Sequence, residues 1–296
     1  MNREDIRFEV GGTRCAAWLY RPLGIEKPAC VIFGHGFAGF RQVRLDVVAE
    51  RFVENGFAAF VFDYRHFGDS EGEPRQLLDI DRQLTDWRAA IEWVRNHPDL
   101  DASRICLWGT SFSGGHVLTV AADSDAVAAV IAQVPFVDGL ASARLNGVRQ
   151  GFRLAKAAVA DWLAGRMDRP PRYVPAVGPP GSLAAMTTPD AEAGYLRLMP
   201  PGGPWRADVA ARVFLSLPFY RPIRHAAKIR CPVLFCLARN DSVTPMSAAV
   251  DAAKRTPRAE VREYPVGHFE IYFDEWFDRA TGDQVEFLRR ALARGE

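Results

Sequence analysis

The stretch GTSFSGG at residues 109–115 follows the apolar run RICLW and holds two serines two positions apart, each with a small residue two before and two after it. In a strand–sharp turn–helix unit the residues two before and two after the tip are pressed together and must be small. The tip residue sits on strained backbone with its side chain projecting above the sheet. A serine there is a nucleophile for acyl transfer, and the helix behind it presents free N–H groups to developing negative charge. The apolar run is expected to end at Trp108 and a helix to begin near Gly114, which puts Ser111 at the tip. Ser113 as nucleophile would require the strand to continue through Gly109 and Thr110.

Acyl chemistry at a serine needs an oxyanion site, a base and a group to orient that base. One oxyanion donor is the N–H of the residue after the nucleophile, here Phe112; the other comes from the loop after an earlier strand. VIFGHGFAG supplies such a loop, with His35-Gly36-Phe37 following a buried strand, so the Phe37 N–H is the second candidate donor and His35 a candidate wall of the site. Downstream, ARNDSVTP follows the apolar run CPVLFCLA, and VGHF follows AEVREYP. Asp241 and His268 are therefore expected at the carboxyl edge of the sheet, where open α/β folds bind ligands, in the chain order Ser, Asp, His. The other histidines fit less well: His97 ends a helix, His116 falls inside one, His66 precedes the serine and His225 lies in an inserted region.

The elements that would position these residues alternate. A hairpin is expected from Ile6, Phe8 and Val10 through Gly11-Gly12 to CAAWLY. Buried strands are expected at ACVIFGHGF, FAAFVFDYR and RICLWG, and three more strands at VAAVIAQVPF, CPVLFCLA and AEVREYP. Between them LDVVAERFVENGF and DIDRQLTDWRAAIEWVRNHP carry helical periodicity, the second through Ile80, Leu84, Trp87, Ile91 and Val94; GGHVLTVAA and a closing DQVEFLRRAL are two more helices. Such alternation implies a mainly parallel sheet covered by helices on both faces. From about Asp138 to Ala226 the alternation stops. A helix-like stretch gives way to a Pro/Gly-rich tract whose aromatics argue for an ordered cap, with Tyr195 and Trp205 as candidate pocket residues.

GHGF, DYRHFGDSEG, LWGTSFSGG, ARNDSVTP and VGHF together resemble the α/β-hydrolase superfamily, most of all its dienelactone-hydrolase-like and S9/S15-peptidase-like members. The resemblance implies the α/β-hydrolase fold, with core segments 1–137 and 227–296 and a cap at 138–226. It implies Ser111 as nucleophile, His268 as general base and then acid, Asp241 as the group fixing the histidine tautomer, and the Phe37 and Phe112 N–H groups as the oxyanion hole. Ser113 and His66 stand where that pattern usually has glycine, the second bearing on the pocket wall. The implied activity is hydrolysis of a small or medium carboxylic ester, with no cofactor. Thioester hydrolysis, acyl transfer, peptide hydrolysis and C–C hydrolysis are alternatives on the same triad, and a non-catalytic ligand-binding protein is a rival of another class.

Bulk composition excludes little else. The 296 residues carry a formal net charge of +1, so no global field favours nucleic acid. The N-terminus MNREDIRFEV is charged where a signal peptide would be apolar, and no apolar run approaches the ~20 residues of a membrane span, so a cytoplasmic chain is expected. Five cysteines without a C-x-x-C pair read as buried thiols, and scattered histidines give no metal spacing. Residues 138–226 hold 12 Lys and Arg against 6 Asp and Glu, a basic surface or an attraction for anionic acyl substrates. The oligomeric state stays open, a homodimer included.

Overall fold

A computed structural model describes residues 2–202 and 205–293. Apolar runs too short for helices become strands buried on both faces: β3 (Cys30–Gly34), β4 (Ala58–Phe62), β5 (Ile105–Thr110), β6 (Val127–Gln133) and β9 (Val233–Ala238). β1 (Asn2–Val10) and β2 (Thr13–Arg21) form the opening hairpin, and β10 (Ala259–Tyr264) lies at the far edge. The eight-stranded sheet has the order β1-β2-β4-β3-β5-β6-β9-β10; only the β1–β2 and β2–β4 pairings are antiparallel. Helix α1 (Leu45–Glu54) packs with α8 (Asp274–Ala293) on one face. α2 (Ile80–Arg95) and α3 (Phe112–Ala122) pack together on the other, and α7 (Met246–Arg255) covers β9 and β10. α8 begins at Asp274 rather than at Asp283, and α7, whose buried positions are all alanines, has no counterpart among the helices expected from sequence. All five cysteines are buried and unpaired.

The chain leaves the sheet between β6 and β9. It forms α4 (Gly139–Arg166), interrupted by Gly147 at φ 73°, then β7 (Tyr173–Pro175), α5 (Ala191–Leu198), β8 (Asp208–Ala210) and α6 (Val213–Ser216). β7 and β8 pair as a short antiparallel ribbon inside the Pro/Gly-rich region, which the sequence did not disclose. Polar ties hold this excursion on the core. The Ala210 N–H donates to the Gln76 carbonyl (2.9 Å) and Gln76 Nε2 donates to the Asp208 carbonyl (2.9 Å). Within the excursion, buried Asp161 accepts from the Arg172 and Arg212 N–H groups and from Arg212 Nε, at 2.7–2.8 Å. His116, fully buried on α3, bridges Gln83 Oε1 (2.9 Å) on α2 and the Tyr220 hydroxyl (2.6 Å) of the excursion.

Burial lowers the His116 pKa from 6.5 to about 3, and burial likewise lowers that of His35 to about 4. Both folded values lie below the unfolded one, so the stability from holding these rings neutral is complete above pH 6.5 and is lost as pH falls below it. Urea midpoints should fall on acidification from pH 7, with each histidine contributing up to about 1.4 kcal/mol per pH unit. His116→Gln should flatten that slope; an unchanged slope would contradict the assignment.

Candidate active site

Ser111 joins β5 directly to α3 with φ 53° and ψ −118°. The strand continues through Thr110 and the helix starts at Phe112, so both elements run up to the serine and the expected boundaries at Trp108 and Gly114 are each two residues out. The turn is still at Ser111, because the sharp reversal falls there and Ser113 is already helical. The Ser111 N–H donates to the Gln133 carbonyl (2.8 Å), and its carbonyl accepts from the Phe136 N–H (2.8 Å) and the Gly114 N–H (3.0 Å). A Cβ at Gly109 would stand 2.3 Å from the Ser113 carbonyl oxygen, which is the crowding that demands a small residue two before the tip. Ser113 faces inward: it is fully buried, and its Oγ lies 2.8 Å from the Tyr64 hydroxyl, which accepts from Trp87 Nε1 at 2.7 Å.

The Ser111 Oγ lies 3.1 Å from His268 Nε2, and His268 Nδ1 lies 2.7 Å from Asp241 Oδ2. An Nδ1–H donated to the carboxylate leaves the Nε2 lone pair facing the hydroxyl. Asp241 is fixed in turn by the Val243 N–H (2.8 Å) and Thr244 N–H (2.7 Å) on Oδ1 and by the Thr244 hydroxyl (2.8 Å) on Oδ2. Burial alone would raise its pKa. The charge and hydrogen bond of His268, with the Thr244 donors, outweigh burial and hold the carboxyl below its ordinary value. Thr244, which holds the Asp241 carboxylate through its N–H and hydroxyl, is a residue that sequence reading missed; its place three residues after the aspartate, in an Asx-type turn, is the signal that could have revealed it.

The Phe37 and Phe112 N–H groups have no hydrogen-bond acceptor among the described residues. A Cβ at Gly36 would come within 3.3 Å of the Ser111 Cβ, so this loop passes close to the serine. The Tyr195 hydroxyl donates to the Phe37 carbonyl (3.2 Å), which ties the Phe37–Ala38 peptide to α5. Ser111, Phe37 and Met186 line two cavities at once. The larger, about 120 Å³, is walled by Phe112, Phe136, Leu154, Phe214, Leu217 and Val243. The smaller, about 40 Å³, is walled by His35, Tyr195, Leu198, His268, Phe269 and Tyr272. Trp205 lines neither: its Nε1 donates to the Pro200 carbonyl (3.1 Å), so the ring serves its own turn. His66 is also outside both cavities, with Nδ1 3.1 Å from the Pro74 carbonyl oxygen. Met186, in the Pro/Gly-rich tract, is a wall residue that no sequence pattern marks.

This sheet order, with a serine on a positive-φ turn after β5, defines the α/β hydrolases, and the chain is an enzyme of that class. The family described as X-Pro dipeptidyl-peptidase (S15 family) matches residues 11–257, and the chain belongs to it. It is 45% identical over 288 residues to the quorum-quenching protein AidA of Acinetobacter baumannii, covering 97% of this chain and 95% of that protein. It is 26% identical to the thiohydrolase aneE of Aspergillus aculeatus, covering 98% and 93% of the two chains. Among solved structures, the α/β hydrolase GrgF from Penicillium superposes with a TM-score of 0.86 at 23% identity, over 99% of this chain and all of that one, a likeness in fold.

Ser113→Ala removes one buried hydrogen bond and should cost about 1 kcal/mol in urea denaturation. Gly109→Ala puts a carbon into the Ser113 carbonyl and should cost about 2 kcal/mol or more. If Gly109→Ala proved as stable as the wild type, the close approach of strand and helix would be wrong.

Proposed function

We infer that the chain is a serine hydrolase that cleaves a small or medium carboxylic ester, cyclic esters included, through an acyl-enzyme on Ser111. The observation that carries this is the hydroxyl of Ser111, on its positive-φ turn, 3.1 Å from His268 Nε2 and open to two cavities. Ser111 Oγ attacks the carbonyl carbon while His268 Nε2 takes its proton, and Asp241 stabilises the imidazolium. The oxyanion forms between the Phe37 and Phe112 N–H groups. His268 then returns the proton to the departing alkoxide, and water repeats the sequence in reverse to free the acid. Because His268 borders only the smaller cavity, the leaving group belongs there and the acyl chain in the larger, apolar one. Residues 138–226 act as the cap, whose Leu154, Phe214 and Leu217 define the acyl pocket.

Neither cavity is lined by an Asp, Glu, Lys or Arg among the described residues. A peptide's terminal ammonium would find no carboxylate there and an anionic acyl group no cation, so a neutral, apolar acyl group fits best. Likeness to a quorum-quenching protein supports an ester that belongs to a diffusible signal. Likeness to a thiohydrolase favours a second reading, in which the same acyl-enzyme is formed from a thioester.

Turnover of p-nitrophenyl esters and acyl thioesters of graded chain length tests both readings. Ser111→Ala should lose about six orders of magnitude in kcat and Asp241→Asn about four. Tyr195→Phe, which frees the Phe37 carbonyl, should lower kcat about tenfold with little change in KM. Full activity in Ser111→Ala would overturn the assignment, and a preference for thioesters at every chain length would select the second reading.

A further inference from the structure

The cations of the cap do not reach the cavities, and α4 shows where several of them are. With 3.6 residues per turn, Val148, Phe152, Val159 and Leu163 fall within an arc of about 60° on one side of α4. They are 92%, 73%, 45% and 48% exposed. The opposite side carries Gln150, Leu154, Ala158 and Asp161, all buried against the rest of the molecule. The helix therefore buries one side, Gln150 and Asp161 through hydrogen bonds and Leu154 and Ala158 by packing, and is apolar along its outermost line over a length of about 22 Å. Trp162 widens the exposed apolar surface, and Leu145 is exposed on the far side of the Gly147 interruption. Arg149 and Lys156 edge the apolar surface and Arg144 stands just before the Gly147 interruption, all three exposed and without a carboxylate partner among the described residues. The one acid in the helix, Asp161, is buried and bound to Arg212.

An apolar stripe of Val, Phe, Leu and Trp edged by unpaired cations is the pattern of a helix lying in a membrane interface. We propose that this face of α4 docks the enzyme on an anionic lipid bilayer. Arg144, Arg149 and Lys156 meet lipid phosphates while Phe152, Trp162 and Leu163 enter the headgroup–acyl boundary. A second copy is a poorer occupant, because pairing two such faces about a two-fold axis brings like charges together with no exposed acid on either helix to offset them. The location also suits the site. Gly151 is exposed beside Val148 and Phe152 and also lines the larger cavity, so that cavity reaches the surface next to the stripe. A docked enzyme would present its acyl pocket to the bilayer, where apolar acyl compounds concentrate. No helix among the described residues is long and apolar enough to cross a membrane, so the association is peripheral.

The test is flotation of the full chain with phosphatidylcholine vesicles and with phosphatidylcholine/phosphatidylglycerol vesicles, alongside its solution mass by light scattering. Wild type should float with the mixed vesicles only, and high salt should release it. The variant V148S/F152S/L163S should stay in solution, and R144E/R149E/K156E should bind about tenfold more weakly. Both variants should keep the wild-type melting temperature and the wild-type turnover of a short, soluble ester. Because flotation reads binding alone, it stands even if the proposed ester chemistry fails. Wild type that ignores both vesicles, or a serine variant that floats as well as wild type, overturns the proposal. So does a wild-type dimer that V148S/F152S/L163S converts to monomer, which would assign the stripe to a second copy.

Discussion

Ser111 holds a backbone conformation that costs an L-residue about 1–3 kcal/mol, and its surroundings are arranged to keep it there. The N–H and carbonyl of Ser111 are fixed by Gln133 and Phe136, at the end of β6 and just beyond it. The small residues at Gly109 and Gly34 let α3 pack close behind the strands, and a Cβ at Gly34 would meet Trp87, Tyr64 and Ser113 at 2.5–2.8 Å. Behind the turn, the fully buried Ser113–Tyr64–Trp87 chain of hydrogen bonds leaves the elbow little room to relax. The constraint aims the Ser111 hydroxyl away from the sheet and toward His268, and it sets the Phe112 N–H beside the serine.

Around that fixed point the other groups are each held by a local device. Asp241 is locked by its own turn, with two N–H groups and a hydroxyl from Val243 and Thr244, so that one carboxylate oxygen remains directed at His268. Phe37 is tied through its carbonyl to Tyr195, a residue of the excursion, which makes the proposed oxyanion loop sensitive to the placement of α5. His116 and Gln76 connect the excursion to the core on the other side. The groups at the sheet edge and the polar-tied excursion are thus fixed by largely separate sets of contacts, a rigid scaffold carrying a variable connection.

Most of the core was legible in sequence because its central strands are short, continuous apolar runs, and Ser111 and Asp241 each follow one of them; His268 follows the edge strand β10, whose residues are largely polar and at least partly exposed. The choice of Ser111 over Ser113 was legible for a partly mistaken reason: the strand does run through Gly109 and Thr110, and the reversal alone singles out Ser111. What was not legible depended on distant partners or weak patterns. Ser113 is explained by Tyr64, 49 residues away. α7 hides because alanines carry its buried face, and the β7–β8 ribbon because each strand has three residues. Aromatics in the excursion divided three ways. Tyr195 lines the site, Trp205 serves a turn, and Phe152 and Trp162 face outward, a division set by helix phase and by tertiary contacts that composition does not carry.

Ser111, not Ser113, is the hydroxyl we infer to be activated. Reaction with a fluorophosphonate, followed by intact-mass measurement and peptide mapping, tests this inference most directly. One phosphonyl group per chain on Ser111, with loss of labelling in His268→Ala, is the predicted result. A chain that remains unlabelled, or a phosphonyl group on Ser113, would contradict the account.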